Sequence, residues 1–108
     1  MAPSDDVEST FAATGDELER LVARLSRLSP LAWRTRRDAA ESLLQTMVSV
    51  CESQQGRRLP VPQVDSHVLA DAIAVIGREC LDGLAHSPQD DLLAQLRAGI
   101  DRALAATR

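Results

Sequence analysis

Apolar residues recur at helical spacing in four segments of the chain. They follow one another by three or four positions in residues 16–28, 30–54, 66–84 and 88–106. This spacing places the apolar side chains on one face of an α-helix and the polar ones on the other. No segment alternates apolar and polar residues for long enough to predict a strand. The pattern therefore predicts four amphipathic helices.

Each predicted helix starts beside residues that are typical of helix N-termini. These residues are Thr14, Ser29-Pro30, Asp65-Ser66 and Ser87-Pro88. A serine, threonine or aspartate oxygen accepts a hydrogen bond from an unpaired N–H of the first turn, and proline is tolerated at the first helical position. Gly56 is a candidate end for the second helix, because glycine adopts the left-handed conformation of a C-terminal cap.

Residues 55–64 form the one long connector, since Pro60 and Pro62 exclude a helix there. The other two connections are short, so we expect the helices that they join to be antiparallel or sharply angled. The predicted fold is all-α, a four-helix up-down bundle. The alternative is a three-helix core with one helix swapped or docked in a dimer. Residues 1–13, acidic and unpatterned, are predicted to be a disordered N-terminal tail, and residues 14–108 a single helical domain.

Composition restricts the class of partner. The chain has 108 residues and a net charge of −4. Its twelve basic residues are all arginine, and this composition together with abundant alanine suggests a GC-rich bacterial coding bias. The negative net charge disfavours binding to the phosphate backbone, and one Trp and one Phe provide few aromatic rings for base stacking. A nucleic-acid partner is therefore unfavourable. No apolar run approaches the roughly 20 residues of a membrane span, and residues 1–13 lack the apolar core of a signal peptide. We therefore expect a cytoplasmic protein with no membrane partner.

Reactive residues do not form a recognisable site in the sequence. There is no glycine-rich phosphate loop, and the His and Cys spacings do not match a zinc site. His67 and Asp71 are four residues apart, and we interpret them as a solvated pair. We predict no catalytic residue, no cofactor and no metal, which favours a non-enzymatic protein.

Cys51 and Cys80 both fall on apolar helix faces. If the second and third helices are antiparallel neighbours, the two cysteines are offset along the helix axis by roughly 15 Å. A disulfide requires Cα atoms within about 7 Å. The sequence therefore predicts two buried free thiols rather than a disulfide.

Two regions are candidates for an interaction surface. The third helix has a narrow polar stripe of Asp71, Arg78 and Asp82, so it is either central or covered by a second subunit. Its candidate contact residues are Val68, Leu69, Ile73 and Ile76. The second region is the corner formed by Trp33, Arg36 and Arg37, in a segment from Glu17 to Arg37 that has six arginines and two glutamates.

These features predict a small helical interaction or oligomerisation module. Its expected partner is a second copy of the chain or an acidic protein. The alternative is a ligand-binding or catalytic bundle that holds an anionic small molecule near Arg36, Arg37 and the connector residues Arg57 and Arg58. A regulatory nucleic-acid binder that uses the arginines of residues 20–37 is less favoured.

Overall fold

The chain folds into four helices, as the sequence predicts. The computed structural model describes residues 3–60 and 65–107, without the side chains of residues 3–8, 66 and 67. The helices are α1 (Pro3–Ser26), α2 (Pro30–Gln55), α3 (Ser66–His86) and α4 (Asp90–Ala106). Neither described range contains a strand. The predicted all-α four-helix bundle is confirmed.

Both predicted ends of α2 are confirmed. Ser29 is the N-terminal cap, and its Oγ accepts a hydrogen bond of 3.2 Å from the amide of Ala32. Pro30 occupies the first turn, where no helical hydrogen bond is lost. The helix ends at Gly56, whose φ of 67° is the left-handed conformation that favours glycine. Asp65 occupies the N-terminal cap position of α3, but its side chain makes no capping hydrogen bond.

The prediction that a helix begins at Thr14 is wrong. Thr14 lies inside α1, where its side chain is fully buried and its hydroxyl donates a hydrogen bond of 2.7 Å to the carbonyl of Thr10. The helix begins at Pro3, within the segment for which the sequence predicts a tail. Phe11 packs against the core, which gives this part of α1 a partner. Met1 and Ala2 lie outside the described residues.

The predicted start of α4 is also displaced. Ser87 is the C-terminal cap of α3, and its amide donates to the carbonyl of Gly83. The N-terminal cap of α4 is Gln89. The first turn of α4 contains Asp90 and Asp91, whose charges are favourable at the positive end of the helix dipole.

The helices pack in the order α1, α3, α2, α4 around the bundle. α1 packs against α3 and α4, and α2 packs against the same two helices. Over the described ranges, α1 and α2 do not approach each other closely, and α3 touches α4 only slightly. Helices joined by a short connection therefore lie on opposite sides of the bundle rather than side by side.

α2 and α3 run parallel, so consecutive helices do not alternate in direction throughout as the predicted up-down order requires. Along both helices in the same order, Met47 lies beside Gly77, Cys51 lies beside Cys80 and Gln54 lies beside Gly83. The long connector makes this arrangement possible, because it brings the chain back to the end of the bundle at which α2 begins. α1 runs the opposite way, since Glu19 contacts Arg78 while Leu25 lies near Ala70.

The core extends through the bundle, and three helices approach one another closely at Gly77. A Cβ atom at this position would lie 2.8 Å from a methyl carbon of Leu18 and 3.0 Å from the terminal carbon of Met47. Both neighbouring side chains are buried. Glycine at this position allows α1 and α2 to approach α3 closely.

We expect Gly77→Ala and Gly15→Ala to have opposite effects on stability. At Gly77 the added methyl group overpacks the core, and the free energy of unfolding should fall by about 1–2 kcal/mol after the gain in helix propensity. At Gly15 the nearest atom is Nη1 of Arg78 at 3.8 Å, so alanine should stabilise by about 0.5–1 kcal/mol. Urea unfolding of both variants measures this difference. Equal stabilisation by both changes would contradict the close packing at Gly77.

Candidate functional site

A pocket lies where α1 ends and where α2 and α3 begin. It has a volume of about 660 Å³. Its lining consists of Leu25, Ser26, Leu28, Pro30, Trp33, Arg34, Arg37, Ala70 and Asp71. This corner pocket combines an apolar interior with charged groups, which is typical of small-molecule sites.

The charged groups of the corner pocket come from two helices. Arg34 and Arg37 belong to the first two turns of α2, and Asp71 belongs to α3. Nε of Arg37 lies 2.6 Å from Oε1 of Glu41, which orients the guanidinium. Trp33 is only 8% exposed and forms part of the apolar wall. The pocket can therefore offer guanidinium groups and an aromatic surface to an anionic ligand.

The residues predicted for the arginine corner are only partly brought together. Trp33 and Arg37 line the pocket, but the second arginine there is Arg34 rather than Arg36. Arg36 instead donates a hydrogen bond of 3.1 Å to the hydroxyl of Thr35. Arg57 and Arg58 follow the opposite end of α2, about 39 Å away for a helix of 26 residues. They do not contribute to this pocket.

The residues predicted for the surface of α3 divide into two groups. Leu69 and Ile73 are 1% and 0% exposed, so they belong to the core and offer no surface to a partner. Val68 is 36% exposed, and Ile76 is partly buried against the core. Val75 is 59% exposed, and the sequence reasoning did not single it out. The sequence does contain a signal for this exposure, because Val75 lies between Asp71 and Arg78 on the polar stripe of α3.

Val75 borders an apolar groove between α1 and α3, of about 630 Å³. We call it the α1–α3 groove. It is lined by Leu18, Glu19, Val22, Ala23, Ala74, Val75, Arg78 and Glu79. Small and branched apolar side chains form its centre, and charged ones form its borders. An exposed apolar strip with a polar border is typical of a protein contact surface.

Charges of opposite sign flank Val75 along α3. Asp71 lies four residues before it and Arg78 three residues after it, and both are exposed. Nη2 of Arg78 also lies 3.3 Å from Oε1 of Glu19 on α1. This exposed ion pair contributes little to stability. Because guanidinium has five N–H donors, Arg78 retains capacity for a further acceptor.

A carboxyl pair joins α1 to α4. The pKa of Glu17 is raised from its ordinary value because a hydrogen bond to Asp101 favours the protonated carboxyl, with burial and the charge of Asp101 acting in the same direction. Arg97, with Nη2 at 3.8 Å from Oε1 of Glu17, lowers the pKa but does not outweigh them. Oε2 of Glu17 is buried without a hydrogen-bond partner in the described parts of the chain. Two carboxylates are both acceptors, so a proton supplies the missing donor.

Cys51 and Cys80 are not separated, contrary to the expectation from the sequence. Their sulfur atoms lie 2.8 Å apart, and both thiols are free and buried. The expectation assumed that α2 and α3 are antiparallel. Because the two helices run parallel, the cysteines meet at the same level of the bundle.

No group of three or more His, Cys, Asp or Glu side chains in the described residues could hold a metal ion. His86 places Nδ1 3.3 Å from the carbonyl of Asp82, near the end of α3. The side chain of His67, which the sequence pairs with Asp71, lies outside the described part.

No described helix is both long enough and apolar enough to cross a bilayer.

Comparisons with known proteins do not assign the chain to a family. No family model matches it, and neither a curated protein nor a solved structure gives a significant match.

We expect the pH dependence of stability to contain a contribution from Glu17. Since the folded state raises the pKa of this carboxyl above 4.5, the contribution is fully present below that pH and is lost as the pH rises through the raised value. Glu17→Gln should remove it, because an amide cannot titrate. Urea unfolding of both proteins across the acidic range gives the difference curve.

The matched control is Asp38→Asn, at an exposed position of α2. It leaves the pair of Glu17 and Asp101 in place. The free energy of unfolding of Asp38→Asn should therefore differ from that of Glu17→Gln with the same pH dependence as the wild-type protein does. A wild-type protein whose stability relative to Glu17→Gln rises with pH would refute the raised pKa.

Proposed function

We propose that this protein is a self-associating helical module whose partner is a second copy of the same chain, docked at the α1–α3 groove. The observation that carries the proposal is the exposure of Val75 beside an apolar groove, with opposite charges on either side of it along α3. Burial of this strip in a dimer removes apolar surface from water, which is the main driving force of association.

The charge order along α3 favours a second copy over an unrelated partner. In a two-fold symmetric contact, two copies of α3 cross in opposite directions, and each contact occurs twice. With the axis between Ala74 and Val75, Asp71 of one copy lies opposite Arg78 of the other, and the reverse pair forms on the other side. The stripe is therefore complementary to itself, and opposite charges face each other at both edges.

The apolar part of the groove supports the same geometry. Ala23 and Ala74 have small side chains, so a second helix can come close to the groove. Val75 of a second copy would pack near the axis, against Ala74 and Val22. Polar borders around an apolar centre are the usual anatomy of a protein interface.

We also propose a cellular location for this module. Two free thiols and an arginine-rich, lysine-free composition support a cytoplasmic location in a bacterium with GC-rich coding. The module needs no catalytic step, so we propose a non-enzymatic role. An acidic protein partner at the arginine corner is the competing interaction.

The test is the oligomeric state of two matched variants. Val75→Glu places an unpaired charge at the centre of the contact, and we expect dimerisation to weaken about 100-fold. Leu31→Glu makes a comparable apolar-to-acidic change at a residue of α2 that is 71% exposed and lies outside the groove. Sedimentation velocity across a concentration series measures both dissociation constants.

The control Leu31→Glu should associate like the wild-type protein. A wild-type protein that remains monomeric at the highest concentration would refute the proposal. Dissociation by Leu31→Glu and not by Val75→Glu would move the interface to the arginine corner.

Charge reversal tests the two-fold arrangement itself. Asp71→Arg and Arg78→Asp alone should each weaken the dimer, because like charges then face each other across the axis. The double variant restores opposite charges and should recover most of the affinity. Additive losses in the double variant, measured in the same sedimentation experiment, would refute this register.

A second function, the binding of an anionic small molecule, is favoured by the corner pocket. Its volume falls within the range of about 300–1,000 Å³ that is common for ligand sites. Its apolar wall accommodates a hydrophobic part of the ligand, and Arg34 and Arg37 accommodate a negative group. Asp71 at the border disfavours a ligand whose charge lies on the α3 side.

The pocket predicts saturable binding of an anionic aromatic probe. Anilinonaphthalene sulfonate should quench the fluorescence of Trp33, which is the only tryptophan of the chain. Arg34→Gln should weaken binding about tenfold, which corresponds to about 1.4 kcal/mol. Arg27→Gln, an exposed arginine outside the pocket, serves as the control. Equal losses in both variants would indicate non-specific attraction.

A further inference from the structure

Cys51 and Cys80 face each other across the contact between α2 and α3. Their sulfur atoms lie 2.8 Å apart in the core. A disulfide bond is about 2.05 Å long, so the two atoms need to approach by less than 1 Å. Neither helix has to shift by a turn or rotate onto another face for this approach.

The hydrogen bonds define how the two thiols are oriented. Sγ of Cys80 donates to the carbonyl of Met47 at 3.1 Å. A thiol has one hydrogen, so Cys51 is the donor in the contact between the two sulfurs. The sulfur of Cys80 thus directs its lone pairs towards Cys51, and no other side chain separates the two atoms.

We propose that Cys51 and Cys80 are a redox modification site that forms a reversible intramolecular disulfide between α2 and α3. The oxidant is a low-molecular-weight disulfide. The sulfur of one cysteine attacks it, and the first small thiol leaves with the cysteine's proton. The second cysteine then attacks the mixed disulfide and releases the second small thiol with its own proton. The protein loses two protons and two electrons, and the oxidant gains both.

Burial determines the speed of this reaction. The thiolate is the reactive form, and burial together with the neighbouring thiol raises the pKa of Cys80. The oxidant also has no path to the sulfurs while the core is closed. Oxidation therefore proceeds through transient opening of the α2–α3 contact, and it is slow in the folded protein.

The crosslink restrains the unfolded chain more than it changes the folded one. It closes a loop that contains the whole connector between α2 and α3, and a loop of this length lowers the entropy of the unfolded state substantially. We expect the oxidised protein to melt on the order of 10 °C higher than the reduced protein. The α1–α3 groove borders a different face of α3, so dimerisation should not depend on the crosslink.

The experiment uses the full chain incubated with oxidised glutathione, with and without a low concentration of urea. Samples are denatured, alkylated and weighed by intact mass spectrometry. The expected product is a monomeric chain that has lost two hydrogens, takes up no alkylating reagent and regains two reactive thiols with dithiothreitol. Urea below the unfolding transition should accelerate its formation, because it populates the open state.

Two controls separate the crosslink from other thiol chemistry. Cys51→Ala and Cys80→Ala should each stop at a mixed disulfide with glutathione, and neither should show the higher melting temperature. The comparison of oxidised with reduced wild-type protein needs no substitution. It therefore tests for the disulfide even if a variant folds poorly. Two fully alkylatable thiols after oxidation in urea, or a disulfide between two chains, would overturn the proposal.

Discussion

The parallel packing of α2 on α3 is the constraint on which the rest of the structure depends. Near Gly77 the two helices approach closely, and Leu18 of α1 reaches the same point. Once α2 and α3 point the same way, the short connections fix the other two helices, because α1 and α4 must then run in the opposite direction. The corner pocket and the pair of thiols are both consequences of this orientation.

The same packing explains why α3 keeps an exposed apolar residue. α3 contacts α1 on one side and α2 on the other, so Leu69 and Ile73 are buried between them. Val75 lies on the remaining face, where the described helices leave it 59% exposed. A helix with this much apolar surface cannot bury all of it in a bundle of four, and the excess remains beside the α1–α3 groove.

Local signals in the sequence predicted the ends of α2 correctly but misplaced the starts of α1 and α4. Ser29, Pro30 and Gly56 bound α2 because capping and the left-handed glycine act within a few residues. Thr14 failed as a start signal because a threonine inside a helix can bond to the carbonyl four residues earlier, as it does to Thr10. The sequence alone does not distinguish the two uses of the hydroxyl.

The direction of α3 could not be derived from local signals, since a long connector permits either a parallel or an antiparallel neighbour. The error at Cys51 and Cys80 followed from that single assumption. The prediction of the site residues depended less on the direction of α3. Trp33 and Arg37 belong to the corner in either orientation, whereas the place of Arg34 and the exposure of Val75 depend on which helices become neighbours.

Asp71 links the two proposed surfaces. It lines the corner pocket beside Arg34 and Arg37, and it lies opposite Arg78 in the proposed dimer. A carboxylate repels an anionic ligand. A negative ligand charge near α3 would therefore raise the electrostatic energy of Asp71. An arginine from a second copy would lower that energy by pairing with it. The two proposals together predict that ligand binding and self-association are coupled through Asp71, with the ligand binding more tightly to the dimer than to the monomer.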